Sequence, residues 1–215
     1  MLIIVKKFTL RVTSIFFILT SACWGYTPSD GNVSVYTGPF FSKTNVSNKN
    51  YSTDAPARLG LGAIVLGDIN KHSSLEIGLI LKDKDYYREE SLNYLGEETR
   101  LIHITMGYRR WFSKYLSASL TFFSAYPIGD VVVTHENIAP GSDVTTSARD
   151  ATEYGFDFAV QYEVWERDLN AVVLDLRYSK SVTPKTSEDA DHYGLLIGYR
   201  YLLQEKKPDA KMKDK

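Results

Sequence analysis

Eight segments of this chain alternate apolar and polar side chains residue by residue, and no stretch sustains a helical period. The last of them, from Tyr193 to Leu203, shows what the alternation demands. Tyr193, Leu195, Ile197, Tyr199, Tyr201 and Leu203 form one apolar and aromatic row. Gly194, Leu196, Gly198 and Arg200 lie between them. Successive side chains of a strand point to opposite faces, so one face here is greasy and the other sets glycines around an arginine.

The same pattern recurs upstream. Leu75, Ile77, Leu79 and Leu81 oppose Glu76, Gly78 and Ile80. Ile102, Ile104, Met106 and Tyr108 oppose His103, Thr105, Gly107 and Arg109. Leu116, Ala118, Leu120 and Phe122 oppose Ser117, Ser119 and Thr121. Tyr154, Phe156, Phe158, Val160, Tyr162 and Val164 oppose Gly155, Asp157, Ala159, Gln161 and Glu163. Val172, Leu174, Leu176 and Tyr178 oppose Ala171, Val173, Asp175 and Arg177. Leu59, Leu61, Ala63 and Val65 oppose Arg58, Gly60 and Gly62, and a weaker first strand begins near Asn32. Fifteen Tyr and ten Phe suit strands.

The connections alternate as well. Gly67–Ser73, the segment around Phe112 and the segment around Arg167 are short. The stretches 43–56, 84–98, 131–151 and 181–191 are long and polar. Tight turns at one end and long loops at the other, with an even number of near-uniform strands, predict an all-β fold: an eight-stranded antiparallel up-and-down transmembrane β-barrel.

The content of the two faces sets the orientation. A barrel of eight strands has an interior that side chains alone can fill. Small residues leave room there, and Glu76, Arg109, Asp157, Glu163, Asp175, Arg177 and Arg200 form an expected ionic network across the lumen. Arg200 has Asp157, Glu163 and Asp175 as candidate partners. The opposite rows face lipid: Leu75, Ile77, Leu79, Ile104, Met106, Leu120, Phe158, Leu174, Leu176, Leu195, Ile197 and Tyr199. Aromatic residues near the row ends predict two interfacial girdles: Trp111, Phe112, Tyr115 and Trp165 near short turns, and Tyr86, Tyr87, Tyr126 and Tyr154 near long loops. The rival arrangement is a soluble periplasmic lipocalin-like binding barrel with the apolar rows inward.

Over roughly residues 32–203 these patterns resemble the small outer-membrane barrels of the OmpA/OmpX type from Gram-negative bacteria. The final strand resembles the signal that barrel-assembly machinery reads, through His192, Gly194, Ile197, Tyr199 and Tyr201. The resemblance implies a monomeric cell outer-membrane protein in contact with lipid and lipopolysaccharide, both termini in the periplasm, and exposed loops serving envelope structure, surface contact or a narrow pore.

The ends of the chain read differently. Residues 1–25 carry Lys6, Lys7 and Arg11, then an apolar run and small residues, the signature of a secretory signal peptide cleaved after Ala22 or Gly25. The run is shorter than the ~20 residues a helical span needs. Removing it takes three positive charges and leaves a mature net charge of −4. Cys23, the sole cysteine, lies in a sequence loosely like a lipoprotein site. The domain layout expected is signal peptide 1–25, barrel 26–203 and a charged periplasmic tail 204–215.

Charge and motifs exclude several functions. No basic stripe points to nucleic acid. No metal-ligand spacing, phosphate loop or nucleophile elbow occurs, so no cofactor, metal or catalytic residue is expected. His103 and His192 share the lumen parity, whereas His72 and His135 lie in connections. A lipid-modifying enzyme is the alternative class, and it needs a serine beside a histidine at one rim.

Overall fold

The computed structural model describes residues 28–46, 55–150, 152–167, 169–189 and 191–204. The expected signal peptide, Cys23 and all but the first residue of the expected charged tail lie outside them. Ten strands follow in order: β1 (Val33–Thr44), β2 (Arg58–Asn70), β3 (Ser73–Glu90), β4 (Asn93–Trp111), β5 (Leu116–Pro127), β6 (Val132–Asn137), β7 (Glu153–Arg167), β8 (Asn170–Ser181), β9 (Glu188–Asp189) and β10 (His192–Gln204). Eight of them close a barrel in which each pairs antiparallel with its sequence neighbour and β10 pairs with β1. The short strands β6 and β9 add to β4 and β3 beyond the barrel.

The stagger can be counted from the register. A path from Thr44 through His192, Ser179, Asp157, Thr121, Gly107, Glu76 and Leu66 returns to β1 at Ser34, ten residues lower. A shear of this size tilts the strands by about 40° and leaves a lumen only side chains wide.

The barrel is inside out. Of the twelve residues assigned to lipid, ten are 38 to 64% exposed on its outer surface, and Leu174 and Leu195 are half-buried. The charged rows point inward, the reverse of the lipocalin-like alternative. Phe112, Trp165, Tyr126 and Tyr154 stand exposed at the two margins of the apolar belt. Trp165 points outward because a bulge after Glu163 shifts the parity of β7.

Three expectations need correction. The lumen is not mainly small and charged: Tyr36, Phe40, Ile64, Leu66, Ile80, Trp111, Val173 and Leu196 form an apolar cluster inside it. Glycine makes the room, since a methyl group at Gly194 would lie 2.1 Å from the Phe40 ring. Trp111 and Tyr86 belong to the interior and not to girdles, because they continue the inward parity of their strands. Tyr87 is buried beyond the barrel, stacked on Tyr94 at 6.3 Å. Finally, the supposed loop at 84–98 is strand. β3 and β4 pair in register as far as Glu90↔Asn93 around a two-residue tip, Ser91–Leu92, with Ser91 in the left-handed region (φ 58°). This hairpin stands above the loop end of the barrel.

Candidate functional site

All seven charged residues assigned to the lumen are buried, and the register separates them into two groups. Five meet near mid-height. Glu76 accepts from Arg109 Nε at 2.8 Å through one oxygen and from Arg177 Nη2 at 2.7 Å through the other. Arg109 also donates to Asp175 at 2.8 Å, to Ser117 at 2.9 Å and to the Tyr36 hydroxyl at 3.2 Å. Tyr36 donates in turn to Asp175 at 2.9 Å. Arg177 reaches Asp157 at 3.1 Å, and His103 Nε2 meets the same carboxylate oxygen at 2.9 Å. Nearer the turn end, Arg200 bonds Glu163, with Glu166 3.5 Å from its other nitrogen. Arg200 therefore belongs with Glu163; Asp157 and Asp175 hold other partners.

A third charged layer sits at the loop end. Lys84 donates to Glu153 at 2.5 Å, and Tyr86 donates to the same carboxylate at 2.6 Å. Lys82 bonds His192. Sequence reasoning missed Lys82, Lys84 and Glu153 as lumen residues because Lys84 fell in an assumed loop and Lys82 and Glu153 lay just past the ends assigned to their strands. The signal was present: Lys82, Lys84 and Tyr86 keep the even-numbered parity of Glu76, and Glu153 that of Asp157.

A plug closes the loop end. A single 3₁₀ turn, Ser147–Arg149, is capped by the Thr146 hydroxyl, which accepts from the Ala148 amide at 3.1 Å. Ala148 packs with Tyr86, Leu101, Phe123 and Ala125 in a second apolar cluster. Thr146 donates to Glu97 at 2.6 Å, Arg149 bonds Glu97, and the Ser147 amide donates to Glu188 at 3.0 Å. Lys185 donates to Thr146 O at 3.0 Å. Outside the plug, Arg58 joins Asp85 at 2.9 Å and Glu98 at 2.6 Å. Burial holds the Glu98 carboxyl above its ordinary range, with Arg58 opposing. Burial likewise pushes the Tyr87 hydroxyl up to about 12.

Beyond the plug, β9, β3, β4 and β6 form a protruding sheet. All six residues of β6 are exposed. Among the described residues, no backbone hydrogen bond joins β6 to anything but β4. Leu92, at the hairpin tip, is 83% exposed.

His103 and Asp157 form a dyad, but both are buried at mid-lumen, and the hydroxyls of Thr105 and Thr121 are sealed in with no partner. Among the described residues no group of three His, Cys, Asp or Glu could hold a metal ion.

A closed eight-stranded antiparallel barrel with an apolar exterior and a packed lumen that holds buried charges is the fold of the small outer-membrane β-barrels. The structure is similar to that of the outer membrane protein OprG from Pseudomonas aeruginosa: 8% sequence identity, 84% of this chain and 99% of that chain covered, TM-score 0.54. It is also similar to Ail, the attachment invasion locus protein of Yersinia pestis, at 14% identity, covering 80% of this chain and 99% of that chain, TM-score 0.45. No family model matches the sequence, and no curated protein matches it.

Proposed function

We propose that this protein is a non-enzymatic barrel of the cell outer membrane that presents a rigid sheet to the outside through a closed lumen. The observation that carries this reading is the pairing of a sealed interior with an exposed sheet edge. Arg109, Arg200, Tyr36, Phe40 and Leu66 are completely or almost completely buried across the lumen, and Ala148 stoppers its upper end. These packed layers support a closed lumen over a narrow pore. The apolar belt supports residence in lipid, where a closed barrel leaves no backbone group unsatisfied. The turn end, which also carries the start of β1 and the end of β10, then faces the periplasm.

The protruding sheet supports surface contact. Alternate residues of an edge strand direct N–H and C=O groups outward, where an extended segment of another protein can add as a further strand. In β6 that edge carries neither lysine nor proline, the residues that commonly protect one.

Fractionation and planar-bilayer recording test the reading together. The protein should appear with the outer membrane, migrate differently before and after boiling, and show no conductance steps. Stable open-channel steps would replace the closed barrel with a pore, and a soluble periplasmic protein would remove the membrane assignment.

A further inference from the structure

At the turn end, two neighbouring connections carry cations. The turn between β2 and β3 holds Lys71 and His72, and the turn between β4 and β5 holds Ser113 and Lys114. Both turns are fixed by hydrogen bonds. The His72 amide donates to Asn70 Oδ1 at 2.8 Å, and the Leu116 amide donates to Ser113 Oγ at 3.1 Å. The Trp111 amide donates to His72 O at 2.9 Å and ties one turn to the other. Lys71, His72, Trp111, Phe112, Ser113 and Lys114 line a cavity of about 230 Å³ there.

The cavity is cationic in a chain that is not. Without residues 1–25 the net charge is −4, yet no carboxylate lines this cavity. Two nearby acids are engaged elsewhere. Asp68 is buried and accepts from Ser74 Oγ at 2.6 Å and from the Ser29 amide at 3.1 Å. Glu166 feels the charge of Lys114 but lies 3.5 Å from Arg200. Arg110 adds another exposed cation at the foot of the outer row of β4, opposite Ser73 in the register. The same region opens onto the bilayer. Phe112 is 66% exposed, and the exposed side chains of Ile69, Leu75 and Tyr108 continue the apolar wall. This is the aromatic margin of the belt, the depth at which lipid headgroups lie.

We infer that the Lys71–Lys114 cavity binds the headgroup of an anionic phospholipid, phosphatidylglycerol, in the periplasmic leaflet. The inference rests on the proposed membrane residence with the turn end toward the periplasm. The phosphate is held by the two ammonium groups, and the acyl chains run along Ile69, Leu75 and Tyr108. A cavity smaller than the ~300 Å³ of ordinary ligand sites suits a headgroup whose chains stay outside it. The bound lipid pins the turn end at the membrane surface.

The test uses the full mature chain refolded in phosphatidylcholine vesicles containing trace spin-labelled phosphatidylglycerol or spin-labelled phosphatidylcholine. Electron paramagnetic resonance reads the fraction of each probe immobilised on the barrel. Phosphatidylglycerol should be preferred at low salt, and the preference should shrink at high salt. Lys71→Gln and Lys114→Gln should each reduce it by up to ~5-fold, the effect of one cation near an anionic surface. Lys180→Gln, which removes an exposed lysine at the loop end, should leave it unchanged. Heat-dependent gel migration of every variant reports barrel insertion separately, so a failed membrane reading is distinguished from a failed lipid site. No preference for phosphatidylglycerol in the inserted wild-type barrel would overturn the site, as would equal losses in all three variants. Displacement by inorganic phosphate beyond that by chloride of equal ionic strength would make it a site for a free anion and overturn the lipid assignment.

Discussion

Arg109 shows how a charge is kept inside so narrow a barrel. Its guanidinium is fully buried, yet it donates to Glu76, Asp175, Ser117, Ser119 and Tyr36. A buried ion is tolerated when its donors are all occupied, and removing one partner strands the other at a cost of ~3–5 kcal/mol. Partnership therefore predicts coupling. Arg200→Met and Glu163→Gln should each destabilise the barrel, and together they should cost ~1–3 kcal/mol less than their sum. Arg200→Met with Asp175→Asn should be additive, because Asp175 serves Arg109 and Tyr36. Urea unfolding in lipid vesicles reads both combinations, and coupling in the second pair would contradict the register. Parity alone could name these residues as inward. It could not say which of them meet, because that depends on the ten-residue stagger, which only closure of the barrel fixes.

At the scale of strands, apolar rows were legible wherever lipid demanded them. β3 and β4 were legible only in their lower halves. Lys82 to Glu90 is charged at most positions, and such a run reads as a solvated loop when judged by hydrophobicity. It is a strand because β4 pairs with it residue by residue, and a ladder of backbone bonds needs no apolar face above the membrane. The same distinction predicts where charge is costly. Leu176→Arg, in the middle of the outer belt, should lose ~2–4 kcal/mol in vesicles. Leu92→Arg, at the hairpin tip, should cost nothing measurable. Equal effects would reverse the outward assignment or move the membrane boundary. For β6, Val133→Lys should reduce retention of expressing cells on a protein-coated surface without changing heat-dependent gel migration. Unchanged retention would remove the edge strand from the contact surface.

For the molecule as a whole, the barrel class was legible because alternation, strand number and sorted connections agree with one another. The apolar lumen cluster was not. Tyr36, Ile64 and Leu66 lie among residues that are apolar on both faces, and there hydrophobicity does not tell inside from outside. The plug was invisible for a different reason. Thr146, Ser147 and Ala148 have no period, and they become interior only because Glu97, Glu188 and Lys185 converge on them from other parts of the chain.

The ladder between β1 and β10 joins the first described strand to the last, pairing Val33 with Gln204. No local hairpin can substitute for that seam. Until β10 arrives, a growing sheet exposes two raw edges, and the lumen charges have partners on strands that are not yet in place. Closing so long a loop is slow and gives its return only at the end. The time between synthesis and closure is thus the period in which this chain is most exposed to aggregation and proteolysis. Slow closure of the seam lengthens that period, whatever the strength of the contacts in the finished barrel.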